Sequence, residues 1–410
     1  MKILFVHNEF PGQFVHLASH LSQERGHTVV AIGGPTSREL RQVALRRYRL
    51  SRGGSLEILP SAAAYESACL QGEAAAFVAA QLASEGFWPD VIIGHAGWGE
   101  LLFLKEIWPN AKIVAYAEYY YSGYGSDASF DLEINDPTIE NMIFARAKNA
   151  SFAMCVAEAD LTIAPTAWQR SLYPDSLRSR IVVVHDGIDT ASIRPRHSAQ
   201  FNVPGSNELF RAGGEIITYV NRALEPLRGI HVFLRSLPAI LKSRPSAQVL
   251  IVGSADERLY GSSPPAGTTW KDYFVAEIGD AVDHSRIHWL EMLDRQAFNN
   301  FLSVSRVHVY LTYPFVLSWS LLEAMSAGCL VVASATPPVE EIIENGQNGL
   351  LFDFFDHQAL ANTVIDALVR APEDLANLKC AARATIVSKY DRDTVCLPAI
   401  TDLIEALAVT

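Results

Sequence analysis

The sequence has few of the features that mark membrane, secreted or nucleic-acid-binding proteins. Its five cysteines are scattered without a C-x-x-C pair, which indicates reduced thiols in a cytoplasmic protein. A formal net charge of −12 argues against general nucleic-acid binding. No uncharged apolar run reaches the ~18 residues that span a bilayer. The opening MKILFVHNEF is too short an apolar run for a signal peptide and is typical of a first strand. We therefore expect a protein that is not integral to a membrane.

Two types of motif are also missing. The chain has no G-x-G-x-x-G fingerprint, so a dinucleotide oxidoreductase is the least favoured enzyme class. It has no convincing D-x-D metal site, because Asp391-Arg392-Asp393 stands before the last helix, where capping is expected. His16 and His20 share one helix face, but no third ligand is evident. We therefore expect neither a metal nor a cofactor.

The sequence does contain a sustained alternation of short apolar runs with helix-like segments. A chain of 410 residues with 49% hydrophobic content exceeds one ordinary core, so two or more domains are expected. Continuous β-branched runs are typical of parallel strands buried on both faces, and their alternation with helices indicates βαβ units. The pattern predicts strands at 2–6, 28–32, 90–94, 112–116, 161–164 and 181–185, and a second set at 215–220, 247–253, 286–290, 307–312, 329–334 and 349–352.

The two sets of strands predict two domains. Residues 190–214, rich in Pro, Gly, Ser and Asn, separate the sets and are interpreted as the linker. We predict an N-terminal domain over 1–195, a C-terminal domain over 205–385, and a closing helix over 386–410. That helix, interrupted at Pro398, is expected to pack back toward the N-terminal domain. Two doubly wound domains that face each other would leave a cleft at the carboxyl ends of their strands, where such sheets bind ligands.

The segment YPFVLSWSLLEAMSAG, residues 313–328, contains a single charged residue, Glu323. Ser320 and Glu323 have the spacing of a capping box that begins a helix ending near Gly328. Because this helix directly follows a strand and a loop, its free N–H groups suit a phosphate. Glu323, one turn in, suits two adjacent hydroxyls such as those of a ribose. The residues alone leave helix cap and ligand contact equally open.

Two arginines, Arg222 and Arg228, flank the loop after the strand 215–220. Guanidiniums at the carboxyl end of a strand can clamp a diphosphate and neutralise its charge as it leaves. The alternative is a pair of surface arginines, with Arg228 bound to Glu225. Gly12, after the first strand, either allows a ligand to approach the backbone closely or belongs to an ordinary Pro-Gly turn.

A basic stretch, 38–52, interrupts the acidic chain. It holds Arg38, Arg41, Arg46, Arg47, Arg49 and Arg52. One interpretation is a solvated face. The other is an edge that contacts an anionic acceptor or anionic lipid headgroups, at about 1 kcal/mol per well-placed cation. Arg46, Arg47 and Arg49 are the candidates for this acceptor or membrane edge.

Together these segments resemble a family 4 glycosyltransferase with the GT-B architecture, over essentially the whole chain. The resemblance is carried by the Gly12 loop, DVIIGHAGWGE with His95, VVVHDGIDT, the Arg222/Arg228 loop, LLEAMSAGCLVV and VEEIIENGQNGLLF. It implies an α/β fold of two facing Rossmann-like domains, the first binding an acceptor and the second a nucleotide-sugar donor. It also implies sugar transfer with retention and without a metal.

The resemblance assigns roles to single residues. Arg222 matches the family's diphosphate-binding arginine, and Arg228 stands near its lysine. His95 matches a histidine that faces the donor sugar; the alternative is a buried, satisfied histidine. Glu323 matches the second of two glutamates eight positions apart. Phe315 stands at the first, which implies that a backbone group substitutes or that the donor sugar differs. The other donor-binding candidates are Gly12, Val316, Leu317, Ser318, Trp319 and Ser320.

The leading hypothesis is a metal-independent, retaining glycosyltransferase of bacterial-type polysaccharide or glycolipid biosynthesis. It would move a hexose-type sugar from a nucleotide-sugar to a hydroxyl of a glycan, glycolipid or small-molecule acceptor. It would act in the cytoplasm, with peripheral contact to the inner face of the membrane as an option. The alternatives are a sugar-nucleotide epimerase of the same fold and a non-catalytic nucleotide-sugar-binding protein.

Overall fold

The computed structural model describes residues 1–135, 137–255 and 259–409, which form two compact units. Of these residues, the first unit contains 1–124, 137–187 and 392–409, and the second contains 125–135 and the rest of 188–391. Each unit is built on a parallel β-sheet covered by helices. The predicted α/β class with two Rossmann-like domains is therefore confirmed.

The sheet of the first unit has seven parallel strands in the order β3-β2-β1-β4-β5-β6-β7. These are β1 (Lys2–His7), β2 (Thr28–Gly33), β3 (Val43–Arg47), β4 (Val91–His95), β5 (Lys112–Tyr116), β6 (Leu161–Ala164) and β7 (Ile181–Val183). Leu4 of β1 pairs with Val30 and Ile92 on either side. Leu4 packs in one hydrophobic layer while Ile3 and Phe5 pack in the opposite one, so both faces of the strand are buried.

The sequence pattern did not predict β3, which lies at the edge of this sheet. Of its five residues only Val43 is fully buried. The pattern missed it because an edge strand with one covered face lacks the continuous apolar run of the inner strands.

The sheet of the second unit has six parallel strands in the order β12-β11-β10-β13-β14-β15, and a separate antiparallel pair, β8-β9. The bounds are β8 (Gln200–Asn202), β9 (Leu209–Arg211), β10 (Ile216–Ala223), β11 (Gln248–Ser254), β12 (Ile287–Leu290), β13 (Val307–Tyr310), β14 (Leu330–Ser334) and β15 (Leu350–Phe352). Thr218 of β10 pairs with Leu250 and His308 on either side. The six parallel strands all fall on predicted ones.

Helices connect the strands of both units. The α-helices are α1 (Val15–Gln23), α2 (Ala63–Ser84), α3 (Asp127–Phe130), α4 (Ile139–Ala147), α5 (Asn149–Glu158), α6 (Ala167–Ser171), α7 (Asp175–Arg178), α8 (Ile230–Ser243), α9 (Trp270–Ile278), α10 (Arg295–Val304), α11 (Trp319–Ser326), α12 (Pro337–Glu340), α13 (His357–Val369), α14 (Ala376–Tyr390) and α15 (Leu397–Val409). Short 3-10 helices lie at Gly12–Phe14, Pro60–Ala62, Leu104–Glu106, Pro226–Arg228, Gly279–Ala281, His284–Arg286 and Pro372–Leu375, and Arg392–Cys396 is π-helical. Among the described residues, none of the helices combines the length and apolarity needed to cross a membrane.

The segment interpreted as a linker, 190–214, packs inside the second unit. Ile193 and Phe201 are buried in its core, and the ring of Phe201 lies 5.7 Å from that of Phe301. The division between the units therefore falls at Gly187 and Ile188, earlier than the predicted boundary between 195 and 205. The polar composition of the segment reflects its turns and not an exposed connection.

Two segments belong to a different unit from the residues that precede them in the sequence. Residues 125–135 belong to the second unit, where the ring of Phe130 lies 5.1 Å from that of Tyr313. Residues 392–409 belong to the first, where Leu397 and Ile404 are buried in its core. The predicted closing segment, 386–410, is thus divided, since its first residues end α14 in the second unit. The helical run changes from π to α at Leu397, one residue before Pro398.

Candidate functional site

The carboxyl end of the second sheet gathers most of the predicted donor-binding residues. The strand order reverses between the neighbours β10 and β13, and ligands of doubly wound sheets bind at this switch point. Arg222 lies at the end of β10, and Arg228 ends the 3-10 helix that follows. Residues 311–318, called the β13 loop below, connect β13 to α11. Two predicted arginines and this loop therefore share one end of the sheet.

Arg228 is buried and held in place by the β13 loop. Its Nη1 donates to Thr312 Oγ1 at 2.9 Å and to the Val316 carbonyl at 3.0 Å. The guanidinium also lies 5.4 Å from the centre of the Phe315 ring. Gly229 makes this turn possible, because its φ of 73° is left-handed and a Cβ there would lie 2.4 Å from Leu311 Cβ. The result is a cation whose position is fixed before any ligand binds.

Arg222 is exposed and stacks on an aromatic ring. Its guanidinium lies 4.5 Å from the centre of the Tyr260 ring, and that ring lies 5.5 Å from the ring of Phe315. Two aromatic rings thus lie between Arg222 and Arg228. Phe315 is itself buried and occupies the position at which the resemblance expects a glutamate. At this position the chain presents an aromatic surface and no carboxylate.

Glu225 is a buried carboxyl beside this site. It accepts hydrogen bonds from the backbone N–H groups of Tyr260 and Gly261, at 3.0 Å and 2.8 Å. Burial raises the pKa of Glu225, while these N–H groups and the two arginines act in the opposite direction. The sequence suggested Glu225 only as a partner of Arg228, whereas here it fixes the loop that carries Tyr260.

The helix α11 begins two residues earlier than predicted. Ser318, and not Ser320, caps it: the Ser318 hydroxyl accepts from the Ser320 N–H, and its own N–H donates to the Tyr310 hydroxyl. The capping-box interpretation of Ser320 and Glu323 is therefore wrong. Trp319 is the first helical residue, so Ser320 lies within the first turn and does not cap the helix. The positive end of α11 still follows the β13 loop directly.

Glu323 is buried on α11 and forms an ion pair. Its Oε1 accepts a 2.5 Å hydrogen bond from Arg295 Nη1, at the start of α10. Its Oε2 has no hydrogen-bond partner within the described residues. The ligand contact predicted for Glu323 stays a prediction, and Arg295 is a neighbour that the sequence did not point to.

A buried polar network holds the β13 loop from the other side. Asp131 Oδ2 accepts from the Tyr313 hydroxyl at 2.6 Å and lies 3.0 Å from His231 Nε2. Burial acts to raise the pKa of Asp131, but the hydrogen bonds from His231 and Tyr313 outweigh it and hold that pKa below its usual value. No local sequence pattern indicates this network, because Asp131 stands 182 positions before Tyr313.

In the first unit, His7 and Gly12 meet at the corresponding switch point between β1 and β4. Gly12 has a φ of 50°, and a Cβ there would lie 2.7 Å from His7 Cε1. The close approach that the glycine permits in this structure is to the His7 ring. Burial, reinforced by repulsion from His95, lowers the pKa of His7 to about 3, so this imidazole is neutral at physiological pH.

His95 ends β4 and uses both of its ring nitrogens. Its Nδ1 accepts from the Gly97 N–H at 3.0 Å, and its Nε2 lies 3.2 Å from Glu118 Oε2. The ring is buried and stacks on Trp98 at 5.3 Å. This is the buried, hydrogen-bonded arrangement that was the alternative to a direct donor contact.

The basic stretch lies along the edge strand β3. Three arginines have acidic partners: Arg46 with Glu85 at 3.4 Å, Arg47 with Glu39 at 3.7 Å and Arg52 with Glu66 at 3.2 Å. Arg38, Arg41 and Arg49 are exposed and have no ion pair in the part of the chain that the structure describes. The edge is therefore of mixed charge, and a membrane or acceptor role for Arg46, Arg47 and Arg49 stays a prediction.

The residues considered for a metal have other partners. His20 Nδ1 lies 3.0 Å from Glu24 Oε2, and His16 Nδ1 lies 3.4 Å from Arg392 Nη1. Asp391 accepts from the Thr190 hydroxyl. Within 1–135, 137–255 and 259–409, no three His, Cys, Asp or Glu side chains are grouped as metal ligands.

Two family models match the chain, one in each half. The first, described as glycosyl transferase family 4 group, matches residues 25–193; the second, described as glycosyl transferases group 1, matches residues 206–385. Each half of the chain thus matches a model of a glycosyltransferase group, and each half carries one of the two Rossmann-like sheets, the architecture of the GT-B fold. Of the two matches, the N-terminal one is to the family 4 group.

Curated relatives match over part of their length. Phosphatidyl-myo-inositol mannosyltransferase of Mycobacterium leprae is 28% identical over 217 residues, which are 53% of this chain and 51% of that one. Spore coat protein SA of Bacillus subtilis is 26% identical over 207 residues, 47% of this chain and 50% of that one. The chain therefore spans about half the length of the curated relatives it matches.

Solved structures match over nearly the whole fold. Sucrose-phosphate synthase from Thermosynechococcus elongatus superposes with a TM-score of 0.73, 17% identity and full coverage of both chains. HepE of Anabaena, solved in complex with UDP-glucose, superposes with a TM-score of 0.66 and 16% identity over 99% of this chain and 100% of that one. At these identities the likeness establishes the fold alone.

Proposed function

We propose that the protein transfers a hexose-type sugar from a nucleotide-sugar to a hydroxyl of a glycan, glycolipid or small-molecule acceptor, with retention and without a metal. The observation that carries the proposal is the preorganised Arg228 guanidinium at the switch point of the second sheet. It is buried, anchored by Thr312 and Val316, and accompanied by Arg222 on the same side of the sheet.

This arrangement suits a departing nucleoside diphosphate. The bond from the anomeric carbon to the diphosphate breaks, and negative charge develops on the leaving oxygens. Fixed guanidiniums and the positive end of α11 stabilise such charge without a reorganisation at the moment of reaction. Arg228 Nη1 already donates hydrogen bonds to the β13 loop. We therefore assign Nη2 and Nε to the diphosphate. Fixed cations of this kind take the role that a divalent ion has in other transferases.

The comparisons support the choice of donor class. HepE, which shares the fold, is solved with UDP-glucose, and two of the relatives above are named for sugar-transfer or sugar-phosphate synthesis. We propose that Glu323 Oε2 accepts from the ribose hydroxyls while Arg295 holds its other oxygen. Phe315 and Tyr260 would then face the donor in place of a carboxylate, which favours backbone recognition of the sugar or a sugar that offers an apolar edge.

A thermal-shift screen against UDP-, GDP-, ADP- and dTDP-sugars tests donor binding. A donor at 100 times its Kd raises the free energy of unfolding by about 2.7 kcal/mol through mass action. We expect sugars of one nucleotide to raise the melting temperature of the wild type. The control variant Arg370→Ala, which changes an exposed arginine at the end of α13, should show the same rise. Arg228→Ala should lose most of that shift. A wild-type protein that no activated sugar stabilises would contradict the proposal.

A further inference from the structure

We propose that a cavity in the second unit binds a phosphate monoester, either a soluble one or the headgroup of a lipid. The cavity has a volume of about 710 Å³ and lies between residues 194–200 and α10. Five polar side chains line it: Arg194, Arg196, Ser198, Gln200 and Asn300. None of the residues that hold Arg228 is among the described residues lining this cavity, so the site does not depend on the proposed function.

The cavity carries positive charge without a carboxylate to balance it, in a chain whose formal net charge is −12. Arg194 is exposed, and its side chain has no hydrogen bond or ion pair within the described residues. The partners of Arg196 are neutral: its Nη1 donates to Asn300 Oδ1 at 3.3 Å, and its Nη2 donates to the Ser192 carbonyl at 3.4 Å. In the part of the chain that the structure describes, neither guanidinium is therefore paired with an acid.

The segment 194–200 is anchored at both of its ends. On one side, Arg383 of α14 donates hydrogen bonds to the backbone carbonyls of Thr190 and Ile193, each at 3.1 Å. Ile193 is itself buried in the core, and on the other side of the segment Phe201 is buried in the same core. The backbone that carries the two cavity arginines is thus fixed before a ligand binds. Such preorganisation lowers the entropic cost of binding.

Arg383 adds a third positive charge close to the cavity. Burial, reinforced by repulsion from Arg194, lowers the pKa of Arg383, while Asp391 acts in the opposite direction. Arg194 is therefore near enough to Arg383 for the two like charges to destabilise each other. A local cost of this kind is typical of functional sites, where a protein gives up stability for binding. An anion bound in the cavity would remove the cost.

The polar side chains of the cavity can all donate hydrogen bonds. Besides the two guanidiniums these are the Ser198 hydroxyl and the amides of Gln200 and Asn300. Because Asn300 Oδ1 accepts from Arg196, the Nδ2 of the same amide is the atom that donates to a ligand. A phosphate monoester offers several acceptor oxygens and matches the fork of a guanidinium. The volume lies in the range of small-molecule sites, so it also accommodates part of the group that carries the phosphate.

The test is isothermal titration with inorganic phosphate at constant ionic strength. Arg194→Gln and Arg196→Gln should each raise the Kd for phosphate about tenfold or more, because each loses hydrogen bonds between charged groups. Arg194→Lys keeps the charge without the fork and should lie between the wild type and Arg194→Gln. In phosphate-free buffer, Arg194→Gln should melt no lower than the wild type, because its repulsion of Arg383 is gone. The matched control is Arg41→Gln, which changes an exposed arginine outside the cavity and should keep the wild-type Kd.

Two further probes distinguish the sources of the phosphate. Sedimentation with phosphatidylcholine vesicles that requires phosphatidic acid, and that is lost in the double variant Arg194→Gln/Arg196→Gln, identifies a lipid headgroup. Binding of glycerol phosphate without such sedimentation identifies a soluble monoester.

Three results would overturn the proposal. The first is the same Kd for phosphate in the wild type and the double variant. The second is binding that is lost in Arg228→Ala but kept in the double variant, which would place the phosphate at the proposed donor site. The third is acetate that binds as tightly as phosphate, which would show that the cavity responds to negative charge alone.

Discussion

Replacing Arg228 with alanine is expected to lower kcat about 100-fold or more, which corresponds to about 2.7 kcal/mol of transition-state stabilisation. The magnitude follows from the setting of the guanidinium. It is buried, and its 2.9 Å and 3.0 Å hydrogen bonds to Thr312 and Val316 fix the charge in advance. Charge that is fixed and shielded from solvent stabilises a leaving diphosphate far more than an exposed arginine does.

Two further variants separate the charge of Arg228 from its anchoring of the β13 loop. Thr312→Val removes one hydrogen bond to a charged donor, worth about 1.5 kcal/mol or more, and should lower kcat about tenfold. Arg228→Lys keeps the charge and gives up the two-point contact. Its kcat should therefore lie between those of the wild type and Arg228→Ala.

The assay is the initial rate of nucleoside diphosphate release, with the donor found in the thermal-shift screen and kcat and KM measured separately. Arg370→Ala is the matched control and should behave as the wild type. The reasoning is refuted if folded Arg228→Ala, with a wild-type melting temperature, retains a kcat within about twofold of the wild type.

Three other expectations concern stability. Asp131→Asn should lower the free energy of unfolding by about 1–3 kcal/mol and raise the donor KM, because a charge-assisted bond to Tyr313 is lost at the start of the β13 loop. Urea denaturation and steady-state kinetics check this against exposed Asp280→Asn, and a wild-type stability would contradict it. Gly12→Ala should cost more than Gly26→Ala: both have positive φ, worth about 1–3 kcal/mol for a non-glycine residue, but only Gly12 has an atom within 4 Å of the added Cβ. If calorimetry shows the same loss of stability in both variants, the expectation is wrong and the His7 ring moves aside freely. Finally, burial lowers the pKa of His7 and His308 to about 3 and of His185 to about 4. Between those values and their ordinary 6.5 the unfolded chain binds protons that the native state excludes, so stability falls as pH drops from 7 to 5, by up to about 1.4 kcal/mol per pH unit for each histidine. Urea denaturation at pH 7 and pH 5 should show that the free energy of unfolding falls less for His308→Gln than for the wild type. An equal fall in both proteins would contradict this expectation.

The strands of both sheets could be predicted because parallel strands buried on two faces leave continuous apolar runs in the sequence. The strands that escaped, β3, β8 and β9, are short or lie at an edge, so their residues alternate in exposure. Residues 190–214 were assigned to a linker from composition. Composition records turns, but it does not record that Phe201 packs against Phe301 about a hundred positions later.

The site was predictable to the extent that its residues are adjacent in the chain. Arg222, Arg228 and the segment around Ser318 stand directly after strands, and their place at the end of the sheet follows from that. The contacts that fix these groups join distant positions: Asp131 with Tyr313, and Arg295 with Glu323. No local pattern reveals such pairs. The helix start was missed by two residues for a simpler reason, since Ser318 and Ser320 are equally good caps by sequence.

The same distinction explains His95. The resemblance predicted that it faces the donor sugar, and in the structure it is the last residue of β4, at the carboxyl end of the first sheet. Which way its nitrogens point depends on Gly97 and on Glu118, twenty-three positions away. The hydrogen bonds that hold the His95 ring are thus a tertiary property.

The most direct measurement is a crystal structure of the protein with an intact nucleotide-sugar. The account predicts that the diphosphate lies within hydrogen-bond distance of Arg228 Nη2 or Nε, beside Arg222 and the first turn of α11. A diphosphate bound elsewhere, with Arg228 still bonded only to Thr312 and Val316, would contradict it.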